Sequence, residues 1–112
     1  MRTLLFATSL EPGKMDSYKK FIAEITGPRK EEYRELLLRY GLKTAKVWYE
    51  KLGGRDCVMI LHEAEDDALE RLKRWSSSTH PFDLWFGEHL SQCYEKFPEP
   101  SHLLFKFDVG HK

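Results

Sequence analysis

Residues 43–63, KTAKVWYEKLGGRDCVMILHE, read as two strands, Lys43 to Lys51 and Arg55 to Glu63, separated by Leu52-Gly53-Gly54. With Gly53-Gly54 as a two-residue turn the strands close into a tight antiparallel hairpin, because glycine takes the positive φ that such turns need. The turn then sets the pairing. Counting away from it places Tyr49 opposite Val58, Val47 opposite Ile60 and Ala45 opposite His62 on one face. Trp48 opposite Met59 and Glu50 opposite Cys57 fall on the other. The first face is apolar except at His62.

Before the hairpin, Met1 to Leu10 holds one early charge and a short apolar run ending at Glu11-Pro12-Gly13. The run is too short, and lacks the small-residue cleavage site, for a signal peptide, so it reads as a first strand. Met15, Tyr18, Phe21, Ile22 and Ile25 recur at helical spacing, which predicts an amphipathic helix from about Lys14 to Thr26. Gly27-Pro28 interrupts it. Pro28 suits a first helical position, so a second piece begins there, burying Tyr33, Leu36, Leu37 and Tyr40 and ending at the Gly41 cap.

After the hairpin, Asp66 to Trp75 predicts a short helix burying Ala68, Leu69, Leu72 and Trp75, and Ser76 to Thr79 connects it to the next element. In the stretch His80 to Phe97, Phe82, Trp85, Phe86, His89, Leu90, Cys93 and Phe97 share one broad face at about 100° per residue. Leu103 to Val109 alternates as a fourth strand beyond the Pro98-Glu99-Pro100 break, and His111 and Lys112 read as a frayed end. The order strand, broken helix, hairpin, broken helix, strand is the ferredoxin-like βαββαβ arrangement, an α+β fold with a four-stranded antiparallel sheet.

A chain of 112 residues with 41% apolar and 13% aromatic content suits a single domain, residues 1–112, with a real core. Eighteen Lys+Arg balance eighteen Asp+Glu without a basic run, which argues against nucleic acid and anionic membranes as partners. No stretch approaches the roughly 18 apolar residues of a membrane span. Cys57 and Cys93 have no metal-type spacing and read as reduced thiols of a soluble, cytoplasmic protein. No glycine-rich phosphate loop is present, and neither a cofactor nor a metal is expected.

Leu4 to Ala7 and Cys57 to Leu61 are nearly continuous apolar runs, so the strands holding them need cover on both faces. The helices of so short a chain cover one face only. The same face of a second copy is the economical cover for the other, giving a homodimer through Trp48, Met59 and Leu61.

This pattern resembles the dimeric α/β-barrel superfamily, in which two ferredoxin-like subunits pack sheet to sheet. The resemblance covers nearly the whole chain. More narrowly, His80-Pro81-Phe82-Asp83 with the later His89 and Cys93 is similar to a small family of unknown function within that superfamily. Relatives include antibiotic-biosynthesis-type monooxygenases and sugar mutarotases, so the resemblance implies a ligand cavity between sheet and helices without choosing its chemistry. A mutarotase site does not carry over, because the first helix contains no histidine to serve as acid or base.

The candidate catalytic residues are His89, His80 and His62, with Tyr49, Trp85, Phe82 and Asp83 as ligand contacts. Each has a plainer reading. His80 before Pro81, with Asp83 three residues on, forms a helix cap with a first-turn charge. Asp83 and His89 lie about 120° apart around the helix, which disfavours a shared metal. His89 is either a hydrogen-bonded core residue or a base facing a cavity, for an apolar surround favours a neutral imidazole. His62 is either a strand-end polar residue or a second proton carrier, and Trp85 is either core or cavity wall. Three function classes stay open: a cofactor-independent enzyme using histidine acid/base chemistry, a non-catalytic metabolite pocket, and a purely structural homodimer.

Overall fold

The computed structural model describes residues 1–110. His111 and Lys112, read above as a frayed end, lie outside the described residues. The elements run β1 (Arg2–Ser9), α1 (Met15–Ile25), α2 (Lys30–Arg39), β2 (Lys46–Leu52), β3 (Arg55–Ala64), α3 (Ala68–Leu72), a 3-10 turn at Trp75–Ser77 and α4 (Pro81–Cys93). β3 is the central strand of a three-stranded antiparallel sheet in the order β1-β3-β2.

The hairpin has the expected register: Tyr49 faces Val58, Val47 faces Ile60, Trp48 faces Met59 and Glu50 faces Cys57. Gly53 and Gly54 have φ of 56° and 81°, the two successive positive values of a type I′ turn. Even-numbered residues of β3 face the helices, and Val58 and Ala64 are fully buried there. On the opposite side Leu5, Leu61 and Lys46 form one row across the sheet, and Ala7, Met59 and Trp48 the next. Among the described residues no helix covers these rows, and Trp48 stays 49% exposed.

The long helical pieces form as expected, but their ends move. Pro28 sits in the turn before α2 and does not open the helix, which starts at Lys30. The helix expected from Asp66 to Trp75 shrinks to Ala68–Leu72 and a separate 3-10 turn. α2 ends where expected. Gly41 has φ 71°, its N–H donates to the Leu38 carbonyl and that of Leu42 to the Leu37 carbonyl, a Schellman motif that satisfies two orphan acceptors and buries Leu42.

The fourth strand is the main correction: Leu103 to Val109 does not pair within the chain, and Leu104 is 93% exposed. A strap from Tyr94 to Ser101 runs along the outer edge of β1 instead. Leu10 bridges Tyr94 and Phe6 bridges Pro100, so a four-residue step on β1 is matched by six residues of strap. Pro98 and Pro100 lack N–H donors, and the extra length bulges at these prolines. Glu95 and Ser101 still donate their backbone N–H groups to the carbonyls of Ser9 and Leu5.

α4 is tied to α2 through Asp83, whose side chain is 2% exposed. Its carboxylate accepts hydrogen bonds from Tyr40 Oη at 2.6 Å, from Ser78 Oγ at 2.8 Å and from the Arg39 guanidinium. Burial pushes this carboxyl up, but the donors Tyr40, Arg39 and Ser78 together outweigh burial and hold it below the ordinary range. A depressed native pKa stabilises the fold fully above the unfolded value of about 3.9, and that share is lost as pH falls through the native value. Asp83→Asn is expected to lower stability at pH 7 by about 2–3 kcal/mol and to flatten the loss of stability below pH ~4, as measured by urea denaturation across pH.

Candidate functional site

The helix-facing side of the sheet, α1, α2 and α4 enclose a half-open cavity of about 450 Å³. Its floor is Phe6, Val47, Ile60 and His62. α1 contributes Tyr18, Phe21, Ile22 and Ile25, and α2 contributes Tyr33, Leu36 and Leu37. Trp75, Phe86, Leu90 and Tyr94 close the far wall, and Phe97 and Pro98 of the strap stand at its margin. The helical periods direct these residues inward. Gly87 matters for the far wall: a Cβ there would lie 3.0 Å from Trp75 Nε1, so its absence lets the indole sit against α4.

The wall mixes aromatic and aliphatic side chains and carries few polar atoms. Tyr18 Oη and Tyr94 Oη share a hydrogen bond of 3.0 Å. Burial pushes Tyr33 up to about 12 and raises Tyr18 and Tyr94 as well, so all three phenols stay protonated and neutral near pH 7. His62 is buried, and its Nδ1 lies 2.9 Å from the Thr44 carbonyl oxygen. A carbonyl only accepts, so Nδ1 carries the proton and Nε2 of the neutral ring carries the lone pair. Burial lowers the His62 pKa, and the bond to Thr44 offsets this in part. A base-competent imidazole therefore stands on an apolar wall.

The sequence-predicted candidates do not converge. Among them only His62 lines the cavity. His80 is the N-cap of α4, accepting at Nδ1 from the Phe82 N–H at 3.2 Å. His89 lies on the flank of α4 turned toward α1, half-buried, with Nδ1 bonded at 2.9 Å to the Trp85 carbonyl one turn back and its ring stacked on Phe21. Trp85 packs against His89 at 4.4 Å and lies beneath the Arg29 guanidinium at 4.1 Å. Phe82 is core, and Asp83 belongs to the buried link described above. Tyr49 is 47% exposed near the hairpin turn, donating to Asp56. Cys57 and Cys93 are free thiols, and burial pushes the Cys93 thiol up, away from the thiolate.

Sequence reading missed Tyr18, Tyr33 and Tyr94 as polar members of the wall. For Tyr18 and Tyr33 the signal was their helical period, which marks them as inward-facing but does not separate core from cavity, whereas Tyr94 follows α4 and lies off the stripe read there. Among the described residues no three His, Cys, Asp or Glu side chains are grouped to hold a metal ion. Nor is any helix among them long and apolar enough to cross a membrane.

Comparison with solved structures shows a shared fold, the ferredoxin-like arrangement. Tetracenomycin F2 cyclase from Streptomyces glaucescens, a type II polyketide cyclase, superposes with a TM-score of 0.66 at 19% identity, over 98% of this chain and 100% of the cyclase. L-rhamnose mutarotase from Formosa agariphila gives 0.64 at 12% identity, over 96% and 100% of the two chains. A putative antibiotic biosynthesis monooxygenase from Bordetella bronchiseptica gives 0.61 at 11%, over 94% and 96%.

No family model matches the chain, so the narrower likeness drawn from His80 to Asp83, His89 and Cys93 has no such support. In sequence, 75 residues are 29% identical to part of human lysine-specific demethylase 7A, covering 67% of this chain but 8% of the demethylase. A stretch of 76 residues is 28% identical to part of the zebrafish (Danio rerio) histone lysine demethylase PHF8, covering 68% of this chain and 7% of that protein. The chain thus spans less than a tenth of these curated relatives.

His62 supplies a direct check of the site's electrostatics. NMR titration of its ring protons is expected to give a midpoint below the reference of about 6.5. Because the native pKa is depressed, its contribution to stability is complete above the unfolded value and declines as pH falls toward the native one. His62→Gln is expected to remove that part of the slope in denaturation curves measured between pH ~7 and ~5.

Proposed function

We propose that the protein binds a small, largely apolar, ring-bearing molecule in the cavity between sheet and helices, and that it acts on this ligand without a cofactor through acid/base chemistry at His62. The observation that carries the reading is the position of His62, a neutral imidazole with its Nδ1–H held by the Thr44 carbonyl, on the wall of an apolar, partly aromatic cavity of about 450 Å³. Aromatic walls favour flat, ring-bearing ligands by stacking and area burial. Fold likeness to a polyketide cyclase is in keeping with that class.

In this reading Nε2 removes a proton from the ligand, and the imidazolium is stabilised by the Nδ1–H bond to Thr44. The same proton returns to another ligand atom. The overall change is an isomerisation or ring closure with no net oxidation. In the same reading, whichever of the Tyr18 and Tyr94 hydroxyls accepts the bond between them keeps its own proton to donate to a developing oxyanion. His89 and His80, engaged at Nδ1 by Trp85 and Phe82, hold α4 in place around this chemistry.

A second reading, binding without turnover, draws on a specific feature: among the described residues no Asp or Glu lines the cavity to orient or relay the proton. The two readings separate experimentally. A thermal-shift screen of planar aromatic and polycyclic phenols is expected to give hits, with stabilisation of about 2.7 kcal/mol at a hundredfold excess over Kd. Leu37→Trp, which fills the cavity, is expected to abolish the shift. His62→Gln is expected to keep the shift and lose turnover. If His62→Gln leaves turnover unchanged, the catalytic role fails; if no ligand discriminates the parent from Leu37→Trp, the pocket itself does.

The protein is also proposed to be a homodimer through the uncovered sheet face, with Trp48, Met59 and Leu61 at its centre. Its support is the half-exposed apolar face, on which Leu5 and Trp48 are 38% and 49% open. The superfamily's sheet-to-sheet pairing agrees with it. Trp48→Glu is expected to halve the mass measured by light scattering, whereas a parent of one-chain mass refutes the dimer.

A further inference from the structure

The cavity described above has a single charged side chain at its margin. Among the described residues that line it, Lys73 alone carries a full charge, since His62 is neutral and no Asp or Glu takes part. Lys73 is the C-cap of α3, and Arg74 and the 3-10 turn Trp75–Ser77 continue the same winding. Residues three apart on such a path lie one above the other, which sets Lys73 and Ser76 on one side, and both line the cavity. The Lys73 side chain is 73% exposed. Its stem therefore covers apolar wall while its ammonium stays in water at the cavity's mouth.

Lys73 also faces a second cavity. This space, of about 430 Å³, shares Phe6, Leu72, Lys73 and Pro98 with the first, so the two meet at these four residues. Beyond the junction the charges are mixed, with Arg2 beside Asp66, Glu70 and Glu99. Asp66 lies 3.0 Å from the Met1 ammonium, and Glu70 lies 3.4 Å from Lys73 in a pair that is open to solvent on both sides. Such a pair contributes little, so an incoming anion replaces Glu70 at Lys73 at small cost.

An anionic group carried by the ligand meets three different surroundings along this path. Deep among Tyr18, Phe21 and Phe86 it loses water and meets no cation. At the junction it stays partly hydrated and meets an ammonium beside a wall of low polarity, which strengthens the attraction. Farther out it meets the carboxylates of the second cavity.

We propose that the ligand is an aromatic carboxylate, its ring in the main cavity and its carboxylate, borne on the ring or one atom from it, held at the mouth by Lys73 and Ser76. The inference rests on the ligand site proposed above and adds the ligand's charge and orientation. The Lys73 ammonium and the Ser76 hydroxyl donate to the two carboxylate oxygens, so the opposite edge of the ring points inward. Lys73 thus selects and orients the ligand and takes no part in proton transfer.

The test is isothermal titration of the full chain with 2-naphthoate, its methyl ester and 2-naphthylmethylammonium, which present one ring with three charges. The parent is expected to bind 2-naphthoate about tenfold more tightly than the cation, a preference that shrinks as ionic strength rises from about 50 mM to about 500 mM. Lys73→Met is expected to lower the ratio of carboxylate to ester affinity by about threefold to tenfold, Lys73→Arg to restore most of it, and Lys73→Glu to turn the preference toward the cation. Because the position is exposed, each variant is expected to melt within about 2 °C of the parent. A ratio unchanged in Lys73→Met, or a parent that prefers the cation, overturns the inference. If the ester is then still lost in Leu37→Trp, the cavity stands as a ligand site without the anion preference. If none of the three probes binds the parent, the carboxylate inference fails and the phenol screen alone decides the cavity.

Discussion

The buried carboxylate of Asp83 is the constraint from which the helical layer takes its shape. A charge 2% exposed is tolerated only because it is fully engaged, and its partners come from two other parts of the chain, Arg39 and Tyr40 at the end of α2 and Ser78 before α4. The network fixes where α4 begins relative to α2. It also orients the Tyr40 ring, which packs on Trp75 at 5.0 Å, and Trp75 forms part of the cavity's far wall. One ionic contact thereby sets the position of an aromatic surface that has no polar contact with it. Arg39 bears part of the cost, since its Nε is buried without a partner among the described residues.

The cavity follows from geometry more than from any single residue. Two helix pieces joined at Gly27-Pro28 and a third long helix lie across a narrow three-stranded sheet, and the rings of Tyr18, Phe21, Tyr33 and Phe86 stand among the aliphatic side chains they turn toward it. Phe21 alone meets Tyr18, Trp85, Phe86 and His89 within 6.3 Å between ring centres. Flat rings in stacked and tilted contacts brace one another around the open space. An open apolar space of this kind is costly when empty, which gives a ring-bearing ligand its driving force.

Much of this was legible in the sequence, and the parts that were not share a cause. The hairpin register came directly from Gly53-Gly54, since a two-residue turn leaves no freedom in pairing. His80 as a cap was legible because capping is local, set by His80, Pro81 and Phe82 alone. The place of His89 was not. A stripe of seven residues spans more of the helix circumference than one neighbour can cover, and His89 falls toward α1 and Trp85 while Phe86 and Leu90 face the cavity. His62 was read correctly as facing the helices, but its tautomer depends on the carbonyl of Thr44, a contact no local pattern announces.

The fourth strand shows the same limit more sharply. Alternation in Leu103 to Val109 reports that a segment is suited to a sheet, since period two is a property of the segment alone. It does not report whose sheet. That depends on how far the chain has already travelled along β1 when the alternation begins, and the six strap residues spent on four residues of edge decide it. Pro98 and Pro100 are visible in the sequence as a break. Their effect on register is visible only when the strap lies against Leu10 and Phe6, because the offset is a relation between two distant stretches. The same prolines that keep β1 from acquiring a regular partner also deliver an apolar strand to the limit of the sheet.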